Sequence, residues 1–271
     1  WGDCYLCAGV ESMSRVKRRG FNWSPHPGLE LDWPEAYVTM GETAENIAKK
    51  WEIGREEQET FALESHIKAS VAQRENRFEN EIIPVTDGES VITEDGCIRP
   101  DTTLDAMAKL NPVFSEDGSV TAATSSPLTD GAVAMIVCSE EFASQRGLKV
   151  MARIVSGAVS GCPPGIMGIG PVEATRKVLE RTGWGVETVD LFELNEAFSS
   201  QCMAVISELG LDRMKINIDG GALAIGHPLG ASGARIIGKA ATLLRRTKSN
   251  RAIATMCIGG GMGIAIALES P

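Results

Sequence analysis

From Met151 to the C-terminus, apolar runs alternate with amphipathic ones in an order that few folds can accommodate. Arg153 to Val159 reads as a strand, and Pro171 to Arg181 as a helix with proline in its first turn and Gly183 just past its end. Val189 to Leu194 reads as the next strand. Glu196 to Leu209 follows as a helix with Phe198, Cys202, Val205 and Leu209 on one face, stopped by Gly210. Lys215 to Ile218 is a short strand, Ser232 to Arg246 a helix, and Ala252 to Ile258 and Met262 to Leu268 two strands around a glycine turn. The order β-α-β-α-β-α-β-β predicts an α/β layer in which helices cover a mostly parallel sheet and the last two strands form an antiparallel hairpin. Ligands of such sheets bind beyond the carboxyl ends of strands, where Asn195, His227 and Cys257 all stand.

The first half is less regular. Residues 4 to 10 read as a buried strand, residues 20 to 34 as an irregular Pro/Gly/Trp-rich excursion, and Glu42 to Trp51 and Glu56 to Phe78 as helices. Val133 to Cys138 returns as a strand, so residues 17 to about 127 form a polar, mixed insertion. The chain opens with Trp1-Gly2-Asp3 running straight into an apolar segment, with no initiator Met or signal peptide, and is expected to begin inside a structural element. No run of 18 apolar residues is present, so no membrane span is expected.

The net charge of −10 argues against a nucleic-acid partner, because phosphate binding needs a dominant basic surface. Two basic runs, Arg15, Lys17, Arg18 and Arg19, and Arg245, Arg246, Lys248 and Arg251, read as solvated surface. The seven cysteines are odd in number and widely spaced, which suits a reducing, cytoplasmic compartment rather than a disulfide framework. Cys4 and Cys7 read as thiols of a buried strand, not as a redox or metal pair.

Three segments carry reactive side chains beside glycines or a helix start. They are Asn195-Glu196-Ala197-Phe198, Gly220 to Pro228 around His227, and Cys257-Ile258-Gly259-Gly260-Gly261-Met262-Gly263. His227 is one of three histidines and lies between Gly226 and Pro228 in a loop rather than on an apolar helix face. Cys257 ends a strand and precedes four glycines within six residues, whose backbone amides suit an oxyanion hole. One such donor contributes about 3 kcal/mol to a transition state. A dinucleotide fingerprint starting at Gly168-Ile169-Gly170 fails at Glu173, and Gly226 to Gly233 lacks the Lys-Ser/Thr ending of a phosphate loop.

Taken together, the three segments resemble the thiolase signatures, and their spacing along the chain fits as well. Ala8 to Ser14, Met40 to Asn46 and Leu104 to Leu110 also resemble that family, so the likeness runs over the whole chain. It implies a layered α-β-α-β-α core with a mixed sheet plus an inserted α+β loop domain. Residues 1–16 and 128–147 would belong to the N-terminal core domain, 17–127 to the loop domain that covers coenzyme A, and 148–271 to the C-terminal core domain. It further implies an acyl-CoA C-acyltransferase that uses coenzyme A as substrate, needs no cofactor or metal, and assembles as a homodimer or homotetramer.

By that resemblance His227 activates a cysteine nucleophile, and Asn195 holds a water that completes an oxyanion hole. Cys257 moves the α-proton of acetyl-CoA, and the Gly259 amide binds the acyl-enzyme oxyanion. Ser126 and Arg99 match positions that contact coenzyme A, and Met167 and Phe198 match the wall of the acyl pocket. The nucleophile's motif would lie upstream of the strand at residues 4 to 10, so this chain alone is expected to turn over negligibly. The alternative is a non-catalytic thiolase-like protein that binds acyl-CoA. A ketoacyl synthase shares the fold but has a second histidine where Cys257 stands.

Overall fold

A computed structural model describes residues 2–16 and 20–271; Trp1 of the opening stretch and Lys17, Arg18 and Arg19 of the first basic run lie outside them. Strand β1 (Cys4–Ser12) is followed by helices α1 (Pro27–Asp32), α2 (Met40–Lys50) and α3 (Arg55–Arg74). The hairpin β2 (Val85–Asp87) and β3 (Ser90–Ile92), helix α4 (Leu104–Met107), strand β4 (Asp130–Cys138) and helix α5 (Glu140–Gln145) complete the first half. The second half runs β5 (Arg153–Gly161), α6 (Gly170–Thr182), β6 (Leu191–Leu194), α7 (Ser199–Leu209), α8 (Ala222–Ile225), α9 (Leu229–Thr247), β7 (Arg251–Ile258) and β8 (Met262–Glu269).

Strands β1 and β4 pair antiparallel, with Cys4 opposite Cys138 and Ser12 opposite Asp130. The expected burial of this strand is not what the structure shows. Leu6 and Val10 are each 74% exposed, and Cys4 and Cys7 are exposed too. Only two strands form this sheet, and its neighbour in the fold is α9. Helix α2 starts where Thr39 and Glu42 cap each other reciprocally and ends on Lys49 and Lys50, both arrangements that satisfy helix ends. Its Ala44, Ile47 and Ala48 are buried.

The second-half sheet has the order β5-β8-β7-β6, and only β6 and β7 run parallel. The mostly parallel sheet read from the alternation of elements is therefore corrected, and the mixed sheet that the family resemblance implies is the one found. The cause is the turn after β7: Gly260 and Gly261 take φ of +86° and +92°, which glycine adopts without steric cost. The chain reverses there, and β8 is laid between β7 and β5, antiparallel to both. The strand expected at Lys215 to Ile218 is a 3-10 turn over Arg213–Lys215 followed by a single bridge from Ile216 to Phe192.

The insertion packs into apolar clusters of the second half. Phe61, Ala62 and Met107 lie in one apolar cluster with Phe192, Leu194, Cys202 and Val205 of the second half. A large buried side chain of this kind contributes roughly 3–5 kcal/mol against alanine, so this cluster fastens the insertion to the sheet. On the other face of the sheet, Ile236, Ala240, Leu243 and Leu244 of α9 pack on Leu191, Ala252, Ala254 and Leu268. A polar junction adds to the apolar one. Asp219, wholly buried, meets Arg246 at 2.5 Å, Lys239 at 2.6 Å and, from the insertion, Arg77 at 3.1 Å. Among the described residues no helix is long and apolar enough to cross a membrane.

Candidate active site

Strand β6 delivers Asn195 to its carboxyl end, where the Asn195 amide donates to Thr255 O at 3.0 Å and prolongs the pairing with β7 by one residue. The helix expected from Glu196 begins only at Ser199, because Phe198 is extended and bridges Ser125. Asn195 to Phe198 thus form a buried loop rather than a first helical turn. His227 sits between α8 and α9 after Gly226, whose φ of +95° is a glycine conformation. A Cβ on Gly226 would lie 2.4 Å from Thr129 Oγ1, the group that accepts the His227 amide at 3.2 Å.

The imidazole is 8% exposed and has a polar partner on each side. Ser232 Oγ donates to Pro228 O at 3.1 Å, so it receives the hydrogen of His227 Nδ1 at 2.6 Å. That fixes the tautomer and leaves the Nε2 lone pair toward Asn195 Nδ2, at 3.3 Å. Burial first, and then the Arg235 guanidinium, lower the His227 pKa to about 4, so the ring is neutral at pH 7 and able to accept a proton. Asn195 Oδ1 is buried without a protein hydrogen-bond partner, an acceptor open to a water or a ligand.

Cys257, near the end of β7, is 5% exposed and opposes Gly263. Its surroundings are apolar: Ala44, Val120, Met167, Ala197 and Phe198 form one buried cluster with it, flanked by Met40 and Phe114. Phe114 and Phe198 meet edge to face with centroids 6.0 Å apart. Burial raises the Cys257 thiol to about 12, so it is an acid at neutral pH, with a proton to give and little tendency to ionise unaided. On β6, burial lifts Glu193 to about 8 against the pull of Arg235 and Lys239, which leaves this carboxyl largely protonated at pH 7.

Of the residues singled out from sequence, Asn195 and His227 are in contact, and Met167, Phe198 and Cys257 share one apolar cluster. Ser126 joins them, its amide donating to Ala197 O at 3.0 Å. Gly259 lies exposed at the hairpin tip, where a Cβ would meet Met40 Sδ at 3.5 Å. Arg99 stands apart from this group. It is exposed, and its amide donates to His66 Nδ1 of α3 at 3.2 Å. The contributions of Ser232, Thr129, Phe114 and Val120 were missed in the sequence. Ser232 carried a signal, as a hydroxyl one turn into the helix that follows His227; the apolar residues carried none.

The thiolase N-terminal domain model matches residues 2–141, and the thiolase C-terminal domain model matches residues 148–270. An acetyl-CoA acetyltransferase of Paracoccus denitrificans is 50% identical over 236 residues, which cover 86% of this chain and 60% of that protein. A 3-ketoacyl-CoA thiolase of Bacillus subtilis is 42% identical over 280 residues, covering 98% of this chain and 72% of that protein. The crystal structure of human mitochondrial 3-ketoacyl-CoA thiolase in complex with CoA superposes with a TM-score of 0.90 at 40% identity, over 100% of this chain and 71% of that one. The chain thus spans 60% to about three quarters of the length of the relatives it matches.

Proposed function

The chain belongs to the thiolase family, and from that premise we propose that it is the acid–base part of an acyl-CoA C-acyltransferase, which cleaves 3-ketoacyl-CoA with coenzyme A or runs the reverse condensation. The observation that carries this reading is a buried, neutral His227, held by Ser232 on Nδ1 with Nε2 facing Asn195, together with an apolar burial that keeps Cys257 protonated.

In cleavage, a cysteine thiol gives its proton to His227 Nε2 and attacks the keto carbon. The Cα–Cβ bond breaks, the acyl group stays on sulfur, and the electron pair leaves as the enolate of acetyl-CoA. Cys257 protonates that enolate and, as a thiolate, takes the proton of a second coenzyme A, whose sulfur attacks the acyl carbonyl; the cysteine sulfur leaves and recovers the proton held on His227. A raised thiol pKa suits the donor role, and a neutral buried imidazole suits the acceptor role.

Among the described residues no thiol is hydrogen-bonded to His227, and Cys202, the other fully buried cysteine, has its Sγ on Asn195 O at 3.6 Å. We place the attacking cysteine in a segment upstream of Trp1, consistent with the greater length of the relatives. Coenzyme A would lie under the insertion, with Ser126 at the pantetheine end and Arg99 at the nucleotide end. Met167 and Phe198 would bound the acyl group, and the active form would be a homodimer or homotetramer.

The test is coenzyme A-dependent cleavage of acetoacetyl-CoA, followed at the enolate absorbance, in the 271-residue chain and in a form extended upstream. Activity in the extended form alone, lost in Cys257→Ala, supports the reading. Silence in both forms favours a non-catalytic acyl-CoA binder.

A further inference from the structure

Glu196 lies beside Asn195, yet its carboxylate turns away from the reacting groups into a set of donors drawn from three segments. It is 2% exposed. Oε2 accepts from Ser65 Oγ of α3 at 2.6 Å and from the Leu223 amide in the first turn of α8 at 3.1 Å. Oε1 accepts from Asn217 Nδ2 at 2.7 Å. Ser65 Oγ in turn receives the Gly221 amide at 3.0 Å, which closes a ring through Glu196, Ser65 and the α8 entrance. Asn217 holds both backbone groups of Leu194, accepting from its amide at 2.9 Å and donating to its carbonyl at 2.8 Å.

Every one of these donors is neutral, and among the described residues no cation pairs with Glu196. A buried carboxylate without a counter-ion is costly unless its lone pairs are all met, so such a group is kept for what it fixes in place. The approach is close: a Cβ on Gly221 would lie 2.2 Å from the carboxyl carbon. A shorter or larger side chain at either position would separate the two loops.

We propose that Glu196 is the positioning residue of the site: it clamps the Asn195 loop to the α8 segment that ends at His227, and so sets the distance between Asn195 Nδ2 and His227 Nε2. The catalytic meaning of this clamp rests on the thiolase reading, whereas the clamp itself does not. With it released, α8 and Gly226 shift, water reaches the imidazole, and the proton acceptor loses its fixed direction. A misplacement of about 1 Å typically costs on the order of 10²-fold in rate.

Glu196→Gln keeps the shape but has one acceptor oxygen, so its NH₂ must face Asn217 Nδ2 or the Leu223 amide, donor against donor. Ser65→Ala removes one donor to the carboxylate and the acceptor of the Gly221 amide, and leaves the carboxylate in place. The chain has three histidines, His26, His66 and His227, so imidazole NMR resolves each titration. The charged group that acts on His227 is Arg235 of α9, which both substitutions leave untouched.

In the parent protein His227 stays neutral to near pH 4. In Glu196→Gln its apparent pKa rises by at least about one unit toward the solvent value of 6.5, with a smaller rise in Ser65→Ala. In the turnover assay Glu196→Gln lowers kcat by roughly 10²-fold with KM within a few-fold of the parent. A parent-like His227 titration in folded Glu196→Gln, or in Ser65→Ala should the former fail to fold, overturns the proposal. An enzyme silent in every form while the titration still shifts overturns only the thiolase reading.

Discussion

His227, in the loop between α8 and α9, and Cys257, near the end of β7, are kept uncharged by the same cause, burial, which lowers one pKa to about 4 and raises the other to about 12. What orients them differs. His227 is held atom by atom, through Ser232 on Nδ1, Asn195 on Nε2 and Thr129 on its amide. Cys257 is held by shape, among Phe198, Met167, Val120 and Ala44. The polar half should therefore respond to the loss of single atoms, and the apolar half to the loss of volume. The division also suits the chemistry: an acceptor must point its lone pair, whereas an acid in an apolar wall must mainly keep its proton.

The largest expected effects are kinetic. A general acid or base contributes about 10²- to 10⁴-fold. In the upstream-extended form, His227→Ala is expected to lose both acyl exchange between acetyl-CoA and labelled coenzyme A and cleavage of acetoacetyl-CoA. Cys257→Ala is expected to lose only the cleavage, because acyl exchange forms no enolate. Loss of exchange in Cys257→Ala would break the division of labour between the halves.

Volume loss in the apolar half comes next. Phe198 is 5% exposed and stacked edge to face on Phe114. Phe198→Ala should destabilise the protein by roughly 3–4 kcal/mol, read as a lower urea midpoint. It should also unmask Cys257: an alkylating reagent at pH 8 that modifies only the exposed thiols of the parent, Cys4 and Cys7 first, should then reach it. An unchanged alkylation pattern in a folded Phe198→Ala would mean that the wall does not shield the thiol.

The polar half was the more legible of the two in the sequence. Asn195 and His227 each follow an apolar run and stand beside a predicted helix start or glycines, a local pattern that needs no knowledge of distant contacts, and of the apolar half only Cys257 shares it. Phe114 and Val120 could not be found that way, since they reach Cys257 from an insertion more than a hundred residues earlier in the chain. The start of α7 was misread because Glu196 to Phe198 carry helix periodicity, while the Glu196 carboxylate and the Phe198 bridge hold them in a loop. The sheet was misread as mostly parallel because the alternation of elements does not say where a hairpin's second strand inserts. Burial of β1 was inferred from its apolar run, but a two-stranded sheet covers only part of itself.

Acid should test how the polar half is anchored. Asp219 immediately precedes the glycines that lead to His227. Burial alone would raise its pKa, but hydrogen bonds and charge from Arg246 and Lys239 outweigh that and hold it at about 2. A folded-state pKa below the unfolded value of about 3.9 adds stability that is fully present above pH 4 and is lost as pH falls toward 2. The loss amounts to roughly 2–3 kcal/mol. Asp219→Asn should show that deficit already at neutral pH and a flatter acid limb in urea melts between pH 4 and 2. An acid limb as steep as the parent's would place the acid lability elsewhere.

The smallest effect separates orientation from burial within the polar half itself. Ser232→Ala removes the acceptor on His227 Nδ1 while leaving the ring as buried as before. A single neutral hydrogen bond is worth about 1 kcal/mol, and a buried N–H left unmet can double that, so the melting midpoint should fall only slightly. The tautomer, however, is no longer fixed. Nitrogen-15 shifts of the imidazole should change from one Nδ1–H form to a mixture, and in the extended enzyme kcat should fall further than stability does, since the Nε2 lone pair is then available only part of the time. If the tautomer stays single in Ser232→Ala, Asn195 alone orients the ring, and the contrast with Cys257 narrows to one hydrogen bond.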